Sequence, residues 1–285
     1  MRQKVTIHTI REKKEKGEKL SRTVVYDYTM AVLAEEAGID IINMGDSIVQ
    51  IVLGSESTVT AEMDFMIAHA RGVRKGAPSV YLMGDMPFLS YQASIEEAIR
   101  NAGRFVKEAL VDAVKIEGGV EVAETAAAVT RAGIPVIGHT GLTPQTATSL
   151  GGYKTQGRDA RSAMKLMEDV RALEEAGAVA VVLESVPSEV TRIIYERCTI
   201  PLFGTGVGKA NDAPSINMYD MLGFFQRTPR FAKRYSHLRE EILRALRAYI
   251  QDVQTGGYPG PEHEYTMLPG EMDKLQELLG AEHHS

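Results

Sequence analysis

Along the chain, short runs of consecutive apolar residues alternate with longer stretches whose apolar positions recur every three or four residues. The short runs read as strands: Thr23 to Tyr26, Ile39 to Met44, Ser79 to Gly84, Asp112 to Glu117, Ile134 to His139, Ala178 to Glu184, Ile200 to Thr205 and, more weakly, Ser215 to Asp220. Several are apolar on both faces, as expected of parallel strands covered on both sides. Between most of them lie helical patterns such as "TMAVLAEEAG", "SIEEAIRNAGRFVKEA" and "DARSAMKLMEDVRALEEAG". A recurrent "AGI" or "AGA" before a strand marks a helix C-cap glycine followed by re-entry into the sheet. The alternation predicts a (β/α)8 TIM barrel, although a doubly wound open sheet shares it.

The polar residues decide between the two. The strand ends carry Asp27, Asp46 with Ser47, Asp85, Lys115 with Glu117, His139, Glu184 and the glycine loop Gly204 to Gly208. In a barrel these converge on the one mouth where active sites form, whereas an open sheet would spread them along an edge, so their number favours closure. The expected organisation is a single barrel domain over residues 1–285 with additional terminal helices. A C-terminal helical extension starts at about residue 224, through "PRFAKRYSHLREEILRALRAYIQDV", and breaks at "TGGYPGPEHEY". These last segments read as packing or oligomer contacts, and His283 and His284 as a tail rather than metal ligands.

Composition narrows the function. The 285 residues are 44% hydrophobic and 25% charged with net charge −6, the balance of a soluble globular protein. Mild acidity argues against nucleic acid, since the one Lys-rich run, Arg11 to Lys19, is interleaved with Glu and reads as a solvated helix face. A lone cysteine, Cys198, excludes an intrachain disulfide framework, suits a reducing compartment, and reads as a buried structural thiol. No apolar stretch reaches the ~20 residues of a membrane span and the N-terminus lacks a signal peptide's apolar segment, so the expected location is cytoplasmic.

Asp46 and Asp85 end consecutive strands, which makes them neighbours at a barrel mouth. Two hard oxygen ligands, completed by water and substrate oxygens, suit Mg2+. A helix N-cap is the structural alternative for either residue alone. Glu117 reads as an outer ligand or a support for the pair. Lys115 sits in an apolar strand, where an unpaired ammonium is costly, so it should reach an anion. His139 follows the same logic, against the commoner role of a hydrogen-bonded structural histidine. Glu184 ends the most hydrophobic strand and is placed as a partly desolvated general base, its alternative being a salt-bridged strand terminus. The glycines of "FGTGVGKAND" either cradle an anion or form a tight turn, and no nucleotide-binding fingerprint accompanies them.

Taken together, "VVYDYTMAVLAEEAGIDIINMGDS", "GDMPFLSYQ", "VKIEGG", "IPVIGHTGLTPQ", "GGYKTQGR", "LEEAGAVAVVLESVP" and "YDMLGF" resemble the ketopantoate hydroxymethyltransferase family, in order from about Val5 to Tyr235. The resemblance implies a barrel of the phosphoenolpyruvate mutase/isocitrate lyase superfamily and a decameric homo-oligomer. It implies a Mg2+-dependent transfer of a hydroxymethyl group from methylenetetrahydrofolate to the small 2-oxo acid 3-methyl-2-oxobutanoate, giving 2-dehydropantoate for pantothenate biosynthesis. Carried over by residue, it makes Asp46 and Asp85 metal ligands with Glu117 beside the metal. Ser47, Lys115 and His139, together with Asp85, hold substrate, and Glu184 is the catalytic base.

The sequence also departs from the family pattern. Val49 and Leu89 replace glycines, and "GIGAG…DGQVLV" appears as "GTGVG…DAPSIN", which brings in Ala213 and Pro214. These changes are expected to put bulk or rigidity into loops near the site, altering the substrate or folate walls while sparing the metal and base. The alternative function is a C–C lyase or decarboxylase of the superfamily, acting on an oxo acid such as oxaloacetate. Such lyases commonly use a loop cysteine of the "KKCGH" kind, which this chain lacks. A non-catalytic binding barrel predicts erosion of the acid–base set, yet all of its members are present.

Overall fold

The computed structural model describes residues 2–282, so His283 and His284 lie outside the described residues. Eight parallel strands close a barrel in chain order: β1 (Arg22–Val24), β2 (Ile41–Met44), β3 (Tyr81–Asp85), β4 (Ala113–Glu117), β5 (Val136–Gly141), β6 (Ala180–Glu184), β7 (Leu202–Thr205) and β8 (Ala213–Asn217), with β8 paired to β1. Because side chains alternate along a strand, every second residue points to the axis. Ile41, Tyr81, Met83, Ala113, Ile137, Ala180, Val182, Phe203 and Ala213 form the inner core, with Val5, Ile10 and Leu20 packed against it. Val5 N–H donates to the Ser79 carbonyl and Leu20 N–H to the Asp212 carbonyl, both just before a strand begins. That end is therefore sealed by apolar side chains, and the polar cluster collects at the other.

Helices α1 (Ile7–Glu15), α2 (Tyr28–Ala37), α3 (Ile48–Val52), α4 (Met63–Gly76), α5 (Ile95–Ala109), α6 (Ala123–Arg131), α7 (Ala160–Glu175) and α8 (Ser188–Arg197) follow in sequence. Their apolar stripes meet the outer faces of the strands. Close approach is needed where α5 crosses β3: a Cβ on Gly84 would stand 2.8 Å from the fully buried Phe105 ring. Burying that ring contributes about 2–3 kcal/mol, and a side chain at Gly84 would expel it. No helix separates β7 from β8. The loop between them turns at Gly206 and Gly208, which have φ of 66° and 84°, so a tight turn is the role these glycines take.

Several expectations need correction. Asp27 does not join the mouth cluster; it caps α2 by accepting the Met30 N–H at 2.8 Å. The eighth strand starts at Ala213 rather than Ser215, so Ala213 and Pro214 are strand residues and not loop residues. Ala213 is buried in the inner core, while Pro214, with no N–H to give the ladder, is exposed outside. Residues 224–237 are irregular apart from one short turn, and the long C-terminal helix α10 (Leu238–Thr255) starts at Leu238, after α9 (Met218–Leu222) and before α11 (Glu271–Glu282). Cys198 is buried and free, and burial, followed by the Glu174 charge, pushes its thiol up to about 11.

Val49 lies fully buried in α3, and Leu89 points outward, 57% exposed, so neither bulky residue enters the cavity. Leu89 nevertheless keeps φ at 65°, the left-handed conformation natural to glycine. For a leucine this costs about 1–2 kcal/mol, partly offset in a glycine variant by its unfolded-state freedom of roughly 0.5–1 kcal/mol. Leu89→Gly is therefore expected to raise unfolding stability by up to about 1 kcal/mol in urea titration, and a loss of stability would disprove the strain.

Candidate active site

Lys115 and Glu117 are two apart on β4, so both point inward, and the β3–β4 and β4–β5 registers set Asp85 beside Lys115 and His139 beside Glu117. Lys115 Nζ lies 2.7 Å from Asp85 Oδ2, 3.2 Å from Glu117 Oε1 and 3.2 Å from His139 Nδ1. The anion that Lys115 reaches is thus supplied by the protein. Burial alone would lower its pKa, but the charges of Asp85, Glu117 and Asp46 outweigh that and hold the ammonium well above the lysine range.

Glu117 is fully committed. Oε1 faces Lys115 and also His139 Nδ1 at 3.2 Å, and Oε2 accepts the Gln145 N–H at 3.0 Å. Burial would raise this carboxyl, yet Lys115 and His139 hold it down at about 2. Among the described residues no three His, Cys, Asp or Glu side chains form a group that could hold a metal. Glu117 is the group that holds Lys115 and His139 together.

Asp46 and Asp85 can form that pair. Asp85 Oδ1 accepts from Asn43 Nδ2 at 2.8 Å, and Asp46 Oδ2 accepts from Gln145 Nε2 at 2.8 Å. Burial first, then the Glu117 charge, pushes the Asp46 carboxyl up to about 8 against the pull of Lys115. Once Asp46 is ionised, three buried carboxylates around one lysine leave surplus negative charge, the condition in which a hard divalent cation is favoured. The residues present fit Mg2+ held by Asp46 and Asp85.

Glu184 closes the cluster on β6. Its side chain is 20% exposed, and Oε2 lies 3.3 Å from His139 Nε2, off the line of a hydrogen bond. Burial and Lys115 push the His139 pKa down, but Glu117 and the contact with Glu184 outweigh them and raise it. Gly141, with φ of 92°, pairs with Glu184 in register, and a Cβ there would stand 2.4 Å from the Glu184 carbonyl oxygen. Only glycine lets the backbone carrying Glu184 pass so close. Ser47 hydrogen-bonds the Tyr26 hydroxyl at 2.8 Å at the start of α3.

These residues line one cavity of about 400 Å3, so the structure brings together Asp46, Ser47, Asp85, Lys115, Glu117, His139 and Glu184. Sequence reasoning missed the residues that brace them. Gln145 ties Asp46 to the Met86 carbonyl and receives the Tyr91 hydroxyl at 2.7 Å, and Tyr91 also donates to the Glu117 carbonyl. Both sit inside the motifs "LTPQ" and "LSYQ", but nothing in a single sequence says which neighbour they serve. Arg22 escaped because the predicted first strand began one residue too late.

A closed parallel barrel with a carboxylate, lysine and histidine set at the C-terminal mouth defines an acid–base enzyme of the (β/α)8 class. Comparison with known proteins specifies it. A family model described as ketopantoate hydroxymethyltransferase matches residues 4–261. The 3-methyl-2-oxobutanoate hydroxymethyltransferase of Syntrophus aciditrophicus is 45% identical over 92% of this chain and 97% of its own. That of Geobacillus kaustophilus is 46% identical over 89% and 91%. Among solved structures, 2,3-dimethylmalate lyase, a member of the PEP mutase/isocitrate lyase superfamily, matches at TM-score 0.57 with 18% identity over 98% of both chains. The phosphoenolpyruvate phosphomutase of Streptomyces platensis subsp. rosaceus matches at 0.61 with 16% identity over 95% and 97%. These two show the fold alone. The chain belongs to the ketopantoate hydroxymethyltransferase family, a family of transferases, as its motifs led us to expect.

Proposed function

We propose that this protein transfers a hydroxymethyl group from methylenetetrahydrofolate to 3-methyl-2-oxobutanoate, giving 2-dehydropantoate, with Mg2+ held by Asp46 and Asp85. The observation that carries the reading is the Glu184 carboxylate at the open edge of a buried cluster, 3.3 Å from a histidine that Glu117 and Lys115 hold in place. Bound there, Mg2+ supplies Lewis acidity that acidifies the C–H next to the keto group. Glu184 removes that proton. Lys115 and His139 face the negative charge that develops on the substrate, and their mutual contacts fix them before it arrives. Ser47, at the cavity wall, orients the substrate carboxylate, and Gln145 keeps Asp46 in position.

Two further features support the family's mode of life. Helix α10 has no buried residue and leaves Leu246, Tyr249, Ile250 and Val253 about half exposed, in keeping with a homo-oligomer such as the decamer the resemblance implies. The free buried Cys198 is in keeping with the cytoplasm, and among the described residues no helix is long and apolar enough to cross a membrane.

The test is deuterium incorporation at C3 of 3-methyl-2-oxobutanoate in D2O. Exchange should require Mg2+, stop in EDTA, and yield 2-dehydropantoate once methylenetetrahydrofolate is added. Full exchange in strong chelator would remove the metal from the reading. Release of pyruvate from oxaloacetate without folate, and no hydroxymethylated product, would replace transfer with cleavage.

A further inference from the structure

The cavity has two chemically different halves. Strands β2 to β5 contribute the acidic cluster with Lys115 and His139, while β7, β8 and β1 contribute Thr205, Ser215, Asn217 and Arg22. Arg22 is 5% exposed, and its hydrogen bonds go only to neutral oxygens. Nη2 donates to Thr205 Oγ1 at 2.9 Å and to the Gly204 carbonyl at 3.3 Å, and Nε donates to the Ala213 carbonyl at 3.4 Å. Nη1 has no hydrogen-bond partner, and no carboxylate among the described residues is within ion-pair distance of the guanidinium. Burial pushes Arg22 down to about 10 against the more distant charges of Glu184 and Asp85, which leaves it charged at neutral pH.

The neighbouring hydroxyl shows the same incompleteness. Ser215 pairs with Arg22 in register, is 6% exposed, and its Oγ has no hydrogen-bond partner. A buried guanidinium with no carboxylate in contact and a buried hydroxyl without a partner are both costly, and they stand side by side on one cavity wall. Thr205 and Asn217 extend the polar lining on either side of this pair.

We propose that Arg22, Ser215 and Thr205 form a second anion subsite, which admits 2-oxo dicarboxylic acids as acceptors alongside the branched monoacid. The inference rests on the proton-abstraction chemistry proposed above and concerns only the acceptor's tail. The 2-oxo acid end lies toward Asp46 and Asp85, and the far carboxylate meets Nη1 of Arg22 and the Ser215 hydroxyl. Glu184 stands between the halves, since it pairs in register with Thr205 on one side and Gly141 on the other. The C3 proton is thereby presented to the Glu184 carboxylate, which accepts it and returns a deuteron from solvent.

The experiment compares 2-oxoglutarate with 5-methyl-2-oxohexanoate, equal in length and differing in a terminal carboxylate against an isopropyl group. C3 exchange with Mg2+ is followed for both acids and for 3-methyl-2-oxobutanoate, and 2-oxoglutarate binding is measured by calorimetry. The wild type should exchange the diacid with a kcat/KM about tenfold or more above its neutral-ended analogue. Arg22→Met should lower that ratio by about a hundredfold, as expected on truncating one partner of a buried charge pair. A wild-type ratio at or below one overturns the subsite, and so does an Arg22→Met variant that weakens both acids alike, which would make Arg22 a brace for the Gly204 and Ala213 carbonyls. If Arg22→Met fails to fold, the wild-type ratio decides by itself. Exchange of 3-methyl-2-oxobutanoate without diacid preference sinks this inference alone. Arg22-dependent binding of 2-oxoglutarate with no exchange of any acid upholds the subsite and sinks the proton-abstraction reading.

Discussion

Glu184→Gln is expected to slow C3 deuterium exchange of 3-methyl-2-oxobutanoate by two to four orders of magnitude, the usual worth of a positioned general base. Glutamine keeps the length of the side chain and its contact with His139 Nε2, 3.3 Å away, but cannot accept the proton. Equilibrium binding of Mg2+ and of the 2-oxo acid should survive, because neither the Asp46–Asp85 pair nor Lys115 is bonded to Glu184. Running the assay without folate isolates proton removal from carbon transfer. A variant that exchanges at the wild-type rate would reduce Glu184 to a strand terminus, and the base would have to be another group at the mouth.

The second large effect falls on the two aspartates, and with opposite signs on stability. Asp85→Ala should abolish Mg2+-dependent exchange and also destabilise the metal-free protein by about 3 kcal/mol, since it strips Lys115 of its nearest counter-charge and leaves an ammonium buried beside Glu117. Asp46→Asn should abolish exchange as well, yet stabilise the metal-free protein at alkaline pH. The Asp46 carboxyl is raised to about 8 by burial and by Glu117, from roughly 4 in the unfolded chain. Its ionisation therefore costs stability increasingly from about pH 4 to pH 8, and the whole cost is present above pH 8. Urea unfolding in EDTA at pH 8.5 separates the two. Equal and opposite ranking, with Asp85→Ala the more stable, would refute the charge arrangement.

Much of this architecture can be read from the sequence because it depends on local periodicity. Two-faced apolar runs define β2 to β7, glycines end the helices, and the strand-end positions of Asp46, Asp85, Lys115, Glu117, His139 and Glu184 follow from the period of two along each strand. Closure then brings those ends to one mouth, as their number implies. The weak spots were the two strands with little apolar signal. Arg22 and the segment from Ala213 to Asn217 carry polar or imino residues where a buried strand is expected to be hydrophobic, so the apolar pattern places the start of β1 one residue late and that of β8 two residues late.

What only the tertiary structure decided is who partners whom. Composition cannot say that Asp27 caps a helix while Asp46 enters the cavity, since both follow a strand, and the difference lies in where each backbone turns. Nor can it say that Glu117 spends both oxygens on Lys115, His139 and the Gln145 N–H. Arg22 depends most on the assembled barrel. Its charge is written in the sequence, but its lack of an ion-pair partner, with Glu184 and Asp85 acting on it only from a distance, arises only when β8 closes against β1 and most of the side chain is buried.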